Sequence, residues 1–206
     1  MRTLTKDSNI YEIRDRIVKE YLKRILRRFK QLNQSVLAFD EMNRLAAVNA
    51  CYDDVIALSV ECIGKVAKRT RKWLNGDDGF LVDMWLMGWL NEPNPVTHYK
   101  YMDEANRKRT RLFEAIESCR TSAERKKQIE LSMKQFVKQF EQTADDAVTE
   151  MLLQVMEENG YKYGKWRTWR DAKVCADCHA MEGKIILISA FRKLHWNCRC
   201  YLIPVK

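Results

Sequence analysis

The chain has 206 residues, 46% of them apolar, and a formal net charge of +9. That length and apolar content can bury a real core, which excludes a disordered chain, and a total of only seven Gly and three Pro excludes a linker-rich or collagen-like one. No run reaches the roughly 18 uncharged apolar residues needed to cross a bilayer, and residues 1–9 lack the apolar centre of a signal peptide, so the expectation is a protein made and kept in a cytosol, with no membrane partner.

Ala, Leu, Glu, Lys, Arg, Met and Gln dominate residues 1–159, the composition of long helices. Ser8 or Asn9 can cap a first helix, in which Ile10, Ile13, Ile17, Tyr21, Ile25 and Phe29 recur at helical steps, widened by Val18, Leu22 and Leu26. Its opposite face carries Lys19, Lys23, Arg24, Arg27, Arg28 and Lys30, read as a solvated side. After a break at Asn33–Ser35, helical spacing resumes through Val36, Phe39, Leu45 and Val48. It continues through Val55, Leu58, Cys62, Val66 and Trp73 to a turn at Asn75-Gly76-Asp77-Asp78-Gly79, whose acids do not alternate as an EF-hand loop requires. The Trp- and Met-rich stretch Phe80–Leu90, with Met84, Trp85, Met87 and Trp89, reads as a buried helix in preference to an exposed docking surface.

Pro93 and Pro95 separate that stretch from a helix over Tyr99–Cys119 with a basic middle at Arg107, Lys108, Arg109 and Arg111. Thr121 three residues before Glu124 is a capping-box spacing. It opens a long helix carrying Ile129, Met133, Phe136, Val137, Phe140, Ala144, Val148, Met151, Leu152 and Val155, with a kink expected near Thr143 and a stop at Asn159-Gly160. Beyond Gly160 the character changes to aromatics (Tyr161, Tyr163, Trp166, Trp169, Trp196) and short β-like runs at Ile185–Ile188 and Tyr201–Val205, with a turn at Gly183. The fold expected is therefore mainly α: an elongated helical body over residues 1–159 and a small α+β module over residues 160–206. A module of that size needs docking or a metal staple to hold together.

Residues 160–206 hold ten Lys/Arg against three Asp/Glu, while residues 1–159 hold 27 against 25, so the tail is the basic part, suited to non-specific, salt-sensitive contact with DNA or an acidic protein face, or simply to solubility. The same tail holds four of the seven cysteines in Cys175-x2-Cys178-x16-His195-x2-Cys198-x-Cys200. Two Cys on a tight turn can chelate one edge of a zinc tetrahedron, and a second turn bearing His and Cys can supply the other. Five candidates compete for four places: an extended chain points Cys198 and Cys200 the same way, whereas a turn separates them. The preferred ligands are Cys175, Cys178, His195 and Cys200, with Cys198 as substitute, holding a structural Zn²⁺. Reduced buried thiols without metal, or a disulfide in an extracellular particle, are the alternatives. Cys175-x-x-Cys178-His179 also has the form of a haem attachment site, which the lack of an export signal disfavours. No assembled catalytic set accompanies the thiols, which argues against a zinc hydrolase or nuclease and for a protein that is not an enzyme.

The run from Trp166 through Asp171, Cys175, Cys178 and Gly183, closed by His195-Trp-Asn197-Cys198-Arg199-Cys200, resembles the C-terminal signature of Mu F-like phage head morphogenesis (minor capsid) proteins. The resemblance covers roughly residues 140–206, and the chain departs from it with Trp196 where the family commonly has Pro. It implies a virion component made in the host cytoplasm, present in multiple copies and associated with the portal or the major capsid protein at the inner capsid wall. The other reading open at this point is a DNA-binding zinc module that regulates transcription or processes nucleic acid, suggested by the basic tail and the Trp/Arg alternation over Trp166–Arg170.

Overall fold

The computed structural model describes residues 10–36, 40–75, 81–93, 100–168, 174–194 and 198–205. The described chain is mostly helical, with α1 (Ile10–Val36), α2 (Glu41–Asn75), α3 (Leu81–Asn91), α4 (Tyr101–Ser118) and α5 (Ser122–Glu158). The C-terminal part follows as β1 (Tyr163–Arg167), α6 (Ala176–Met181), β2 (Ile185–Leu187), a short 3-10 turn (Ile188–Ala190) and β3 (Tyr201–Val205). This is the mainly α architecture with a small α+β end that the composition predicts.

α1, α2 and α5 pack on one another as the core of the bundle, with α4 against α2 and α5, and α3 against α2 and α4. At its centre Phe29, Tyr52 and Phe136, one from each core helix, meet with ring centroids 5.8–5.9 Å apart. The Tyr52 hydroxyl shares a 2.7 Å hydrogen bond with Ser132, so this buried phenol is not left unsatisfied. Among the described residues no helix is long and apolar enough to cross a membrane.

α1 runs through the expected break at Asn33–Ser35 as far as Val36, and the caps expected at Ser8 or Asn9 lie outside the described residues. Its buried stripe is Ile10, Tyr11, Arg14, Val18, Tyr21, Ile25, Phe29, Leu32 and Val36, rotated slightly from the expected one, so that Leu26 is exposed and an arginine enters the core. Arg14 Nε lies 2.8 Å from the buried Asp145 carboxylate of α5, and its Nη2 donates to the Glu141 carbonyl at 2.6 Å. The pair supplies the charge balance without which neither group would tolerate burial.

α3 differs from the expectation. Val82, Leu86 and Leu90, one turn apart, are the buried face, whereas Met84 and Met87 are 65% and 62% exposed. Trp85 and Trp89 are half-buried and stacked on each other at 5.2 Å. The periodicity of the small aliphatic residues, rather than the concentration of Met and Trp, selects the inward face.

α5 spans 37 residues, about 55 Å at 1.5 Å per residue, and runs unbroken past Thr143, whose hydroxyl bonds back to the Gln139 carbonyl. Both halves of the capping box form: the Glu124 N–H donates to the Thr121 hydroxyl, and the Thr121 N–H donates to the Glu124 carboxylate. At the other end Gly160, with φ 71°, lets the Tyr161 N–H reach the Met156 carbonyl and its own N–H reach that of Glu157. That paired bonding is a Schellman motif, and it turns the chain back into the sheet.

The sheet is antiparallel throughout, in the order β2-β1-β3, with Gly164 opposite Ile186 on one side and Pro204 on the other. Its inner side buries Trp166 and Leu202 together with Met156 of α5, and Tyr201 meets the Tyr11 ring of α1 at 5.3 Å. A Cβ at Gly164 would stand 2.8 Å from Leu202 Cβ and 3.0 Å from the Met156 terminal methyl, so only glycine permits this approach.

Candidate metal centre

Cys175 is the N-cap of α6, and its sulfur accepts the Cys178 N–H at 3.4 Å while its carbonyl accepts the His179 N–H at 2.9 Å. This local turn is what a Cys-x2-Cys spacing builds: the first thiol lies over the opening turn of the helix and the second follows from within that turn. Cys178 faces inward and is 2% exposed.

Cys198 and Cys200 come from the segment leading into β3 and are 1% and 2% exposed. The thiols of Cys178, Cys198 and Cys200 all lie within 4.8 Å of one another, and those of Cys178 and Cys198 are 3.7 Å apart. The geometry brings both Cys198 and Cys200, between which the spacing does not decide, to Cys178. His195, the preferred histidine, lies outside the described residues, as do Trp169, Arg170, Asp171, Trp196 and Asn197.

The spacing suits a metal. Four sulfurs placed tetrahedrally about 2.3 Å from an ion are about 3.8 Å from each other, close to the separation of Cys178 and Cys198. A disulfide needs an S–S distance of about 2.05 Å, and all seven cysteines are free. This group of buried cysteines is able to bind a metal ion.

The electrostatics point the same way. A hydrogen bond from the Cys200 thiol, joined by backbone hydrogen bonds from Cys200 and Leu194, outweighs burial and draws Cys198 down to about 5. The same pairing pushes Cys200 up, while burial pushes Cys178 up to about 12. A cation among the three would favour the thiolate form of each. The Trp166 indole N–H is buried with no hydrogen-bond partner among the described residues, yet it stands close enough to Cys200 to pull that thiol downward. A metal-bound thiolate, a stronger acceptor than a thiol, would give this N–H its partner.

The surroundings hold the thiols in place. Trp166 packs on Phe191 at 4.8 Å. Burial raises the Glu182 carboxyl, but the Thr168 N–H and the Arg167 guanidinium, at 2.6 and 2.9 Å, outweigh it and hold the carboxyl below its ordinary range. The two ends of the β1–α6 excursion are thereby tied together, and Gly183, with φ 83°, makes the turn into β2. Arg199, between the two cysteines, contributes to the field at Asp145, and Lys193 pairs with Asp146, so the thiol-bearing segment is also fastened to α5 by charge. His179, which a haem reading would require, is exposed, next to the buried Cys178 on α6.

Sequence reasoning did not pick out Trp166 as a neighbour of the thiols, nor Arg199 and Lys193 as partners of buried acids. Trp166 opens the run that resembles the family signature, but the strand that carries it, two positions after a glycine, was not recognised. Comparison with known protein families, curated proteins and solved structures matched nothing.

Proposed function

We propose that this chain is a minor capsid, or head morphogenesis, protein of the Mu F-like kind, carried in the virion, whose C-terminal module is closed by a structural zinc ion. One observation carries the reading. Among the described residues, those that resemble the family signature come together: Cys178, Cys198 and Cys200 meet, Cys175 caps the helix that brings Cys178 in, Trp166 covers the group, and Gly183 makes the turn beside it. A signature whose residues assemble into one centre is supported as a unit rather than as scattered matches.

Zinc is the ion proposed because thiolates select soft or borderline metals, and a site that serves structure requires no redox chemistry. The fourth ligand is Cys175 or His195. Full coordination by protein leaves no position for an activated water, which favours a structural role over a hydrolytic one. The helical body then offers its surface to the portal or major capsid protein, with several copies per virion.

The test is particle composition. Gradient-purified phage heads from a culture producing the protein should contain the chain at a few to tens of copies, resistant to a salt wash. Its absence from particles, combined with sequence-selective DNA binding that survives moderate salt, would replace this reading with the regulatory zinc module.

A further inference from the structure

The sequence places the basic excess in residues 160–206, but the fold spends part of it internally: Arg167 pairs with Glu182, Lys193 pairs with Asp146, and Arg199 lies in the field of Asp145. α1 shows the reverse. Arg24 and Arg28, on the side toward α2, are engaged by Glu61 and Asp54. Arg16, Lys19, Lys23, Arg27 and Lys30 are exposed and form no ion pair among the described residues. At 100° per residue these five fall within one band about 80° wide, opposite the buried stripe of Val18, Tyr21, Ile25 and Phe29.

We infer that this outer face of α1 is a docking surface for the phosphate backbone of duplex nucleic acid, bound without regard to sequence. From Arg16 to Lys30 the row extends about 21 Å, the axial length of about six phosphates of one strand. Between residues 16 and 34 the helix has a single acid, Glu20, so the field along the row is nearly uniform in sign. The aromatic residues of α1, Tyr11, Tyr21 and Phe29, are all buried, so the face lacks the stacking platforms that single-strand binders use. It also lacks the large apolar anchors that seat a basic helix in a lipid surface, since Leu26 is its only exposed large apolar residue. A rigid row of cations without a stacking or inserting group fits a rigid polyanion. This inference is independent of the metal centre and of the capsid reading.

The experiment compares the wild-type chain with two sets of exposed substitutions: Lys19→Glu, Lys23→Glu, Arg27→Glu and Lys30→Glu together on α1, and Lys162→Glu and Lys184→Glu together on the C-terminal module. Binding to a random 30-bp duplex is measured by fluorescence anisotropy between 50 and 200 mM salt, with circular dichroism as the folding control. The same four α1 positions changed to Gln provide a second variant if the Glu set does not fold. Loss of four phosphate contacts should flatten the slope of log K against log salt by about 3–4 and weaken binding at 50 mM salt by at least tenfold, with the C-terminal set changing far less. An unchanged slope in the α1 variants would overturn the inference, as would a loss confined to the C-terminal set. Equal or tighter α1-dependent binding to polyglutamate or phosphatidylserine vesicles at the same salt would do so too, assigning the face to an acidic protein or a membrane.

Discussion

Gly164→Ala is the smallest change that tests the packing of the C-terminal sheet on the bundle. The added methyl would stand 2.8 and 2.9 Å from Leu202 Cβ and Cδ1, and 3.0 Å from the Met156 methyl. Met156 can swing its terminal group aside, but Leu202 Cβ is tied to the β3 backbone, and Leu202 is fully buried, so β1 and β3 must separate. Overpacking of this kind costs about 1–3 kcal/mol, and the immovable contact places this case near the upper end. For a chain of this size that is a fall in Tm of about 5–10 °C. Gly88→Ala is the matched control: nothing lies within 4 Å of the new methyl, the residue is within α3, and replacing a helical glycine should stabilise by about 0.5–1 kcal/mol. Thermal melts of both variants by circular dichroism should therefore move in opposite directions. A Gly164→Ala protein melting within 1 °C of wild type would refute the close packing of Gly164 against Leu202 of β3.

Two further predictions concern the buried charges. Arg14→Met removes the cation closest to Asp145 and should cost about 3 kcal/mol in urea unfolding, the low end for breaking a buried pair because Lys193 and Arg199 still act on the carboxylate; a loss below 1 kcal/mol would contradict the pairing. Burial lifts Asp145 from its ordinary 3.8 to about 6, against the pull of Arg14, Lys193 and Arg199. The native state therefore holds this proton more tightly than the unfolded chain, and the contribution is fully present below about pH 4 and lost as pH rises through 6. The stability of wild type relative to Asp145→Asn should fall by on the order of 3 kcal/mol between pH 4 and pH 7, and a flat difference across that range would contradict the assignment.

Much of the helical body was legible because its signals are local. Thr121 and Glu124 cap α5, and Gly160 ends it, through bonds within a few residues, and these need no tertiary information. α3 misled because Met and Trp suit either a core or a surface, and the Val82-Leu86-Leu90 spacing that settles the question was masked by their abundance. β1 was missed because its inward residues are Gly164 and Trp166. One of these has no side chain, so the alternation that marks a strand is hidden where the packing is tightest.

In the metal centre the two cysteine pairs were readable from spacing. The convergence of Cys198 and Cys200 on Cys178 depended on how the residues just before β3 are set against α6, which spacing alone does not fix. Arg14 sat in the apolar register of α1, four residues from both Ile10 and Val18, but its burial follows from Asp145, 131 positions away in the chain. Segment-wise charge counting has the same limit, since it does not separate charges paired within the fold from those facing solvent.

The most direct test of the thiol-centred account is the metal content of the purified chain, measured by elemental analysis alongside a chelator-dependent melt. The account predicts one zinc per chain, a large drop in Tm of the wild-type protein on chelation, and less than stoichiometric zinc in Cys178→Ser and Cys198→Ser. Wild-type protein free of zinc and other thiophilic metals, melting at the same temperature with and without chelator and unaffected by Cys178→Ser, would contradict it.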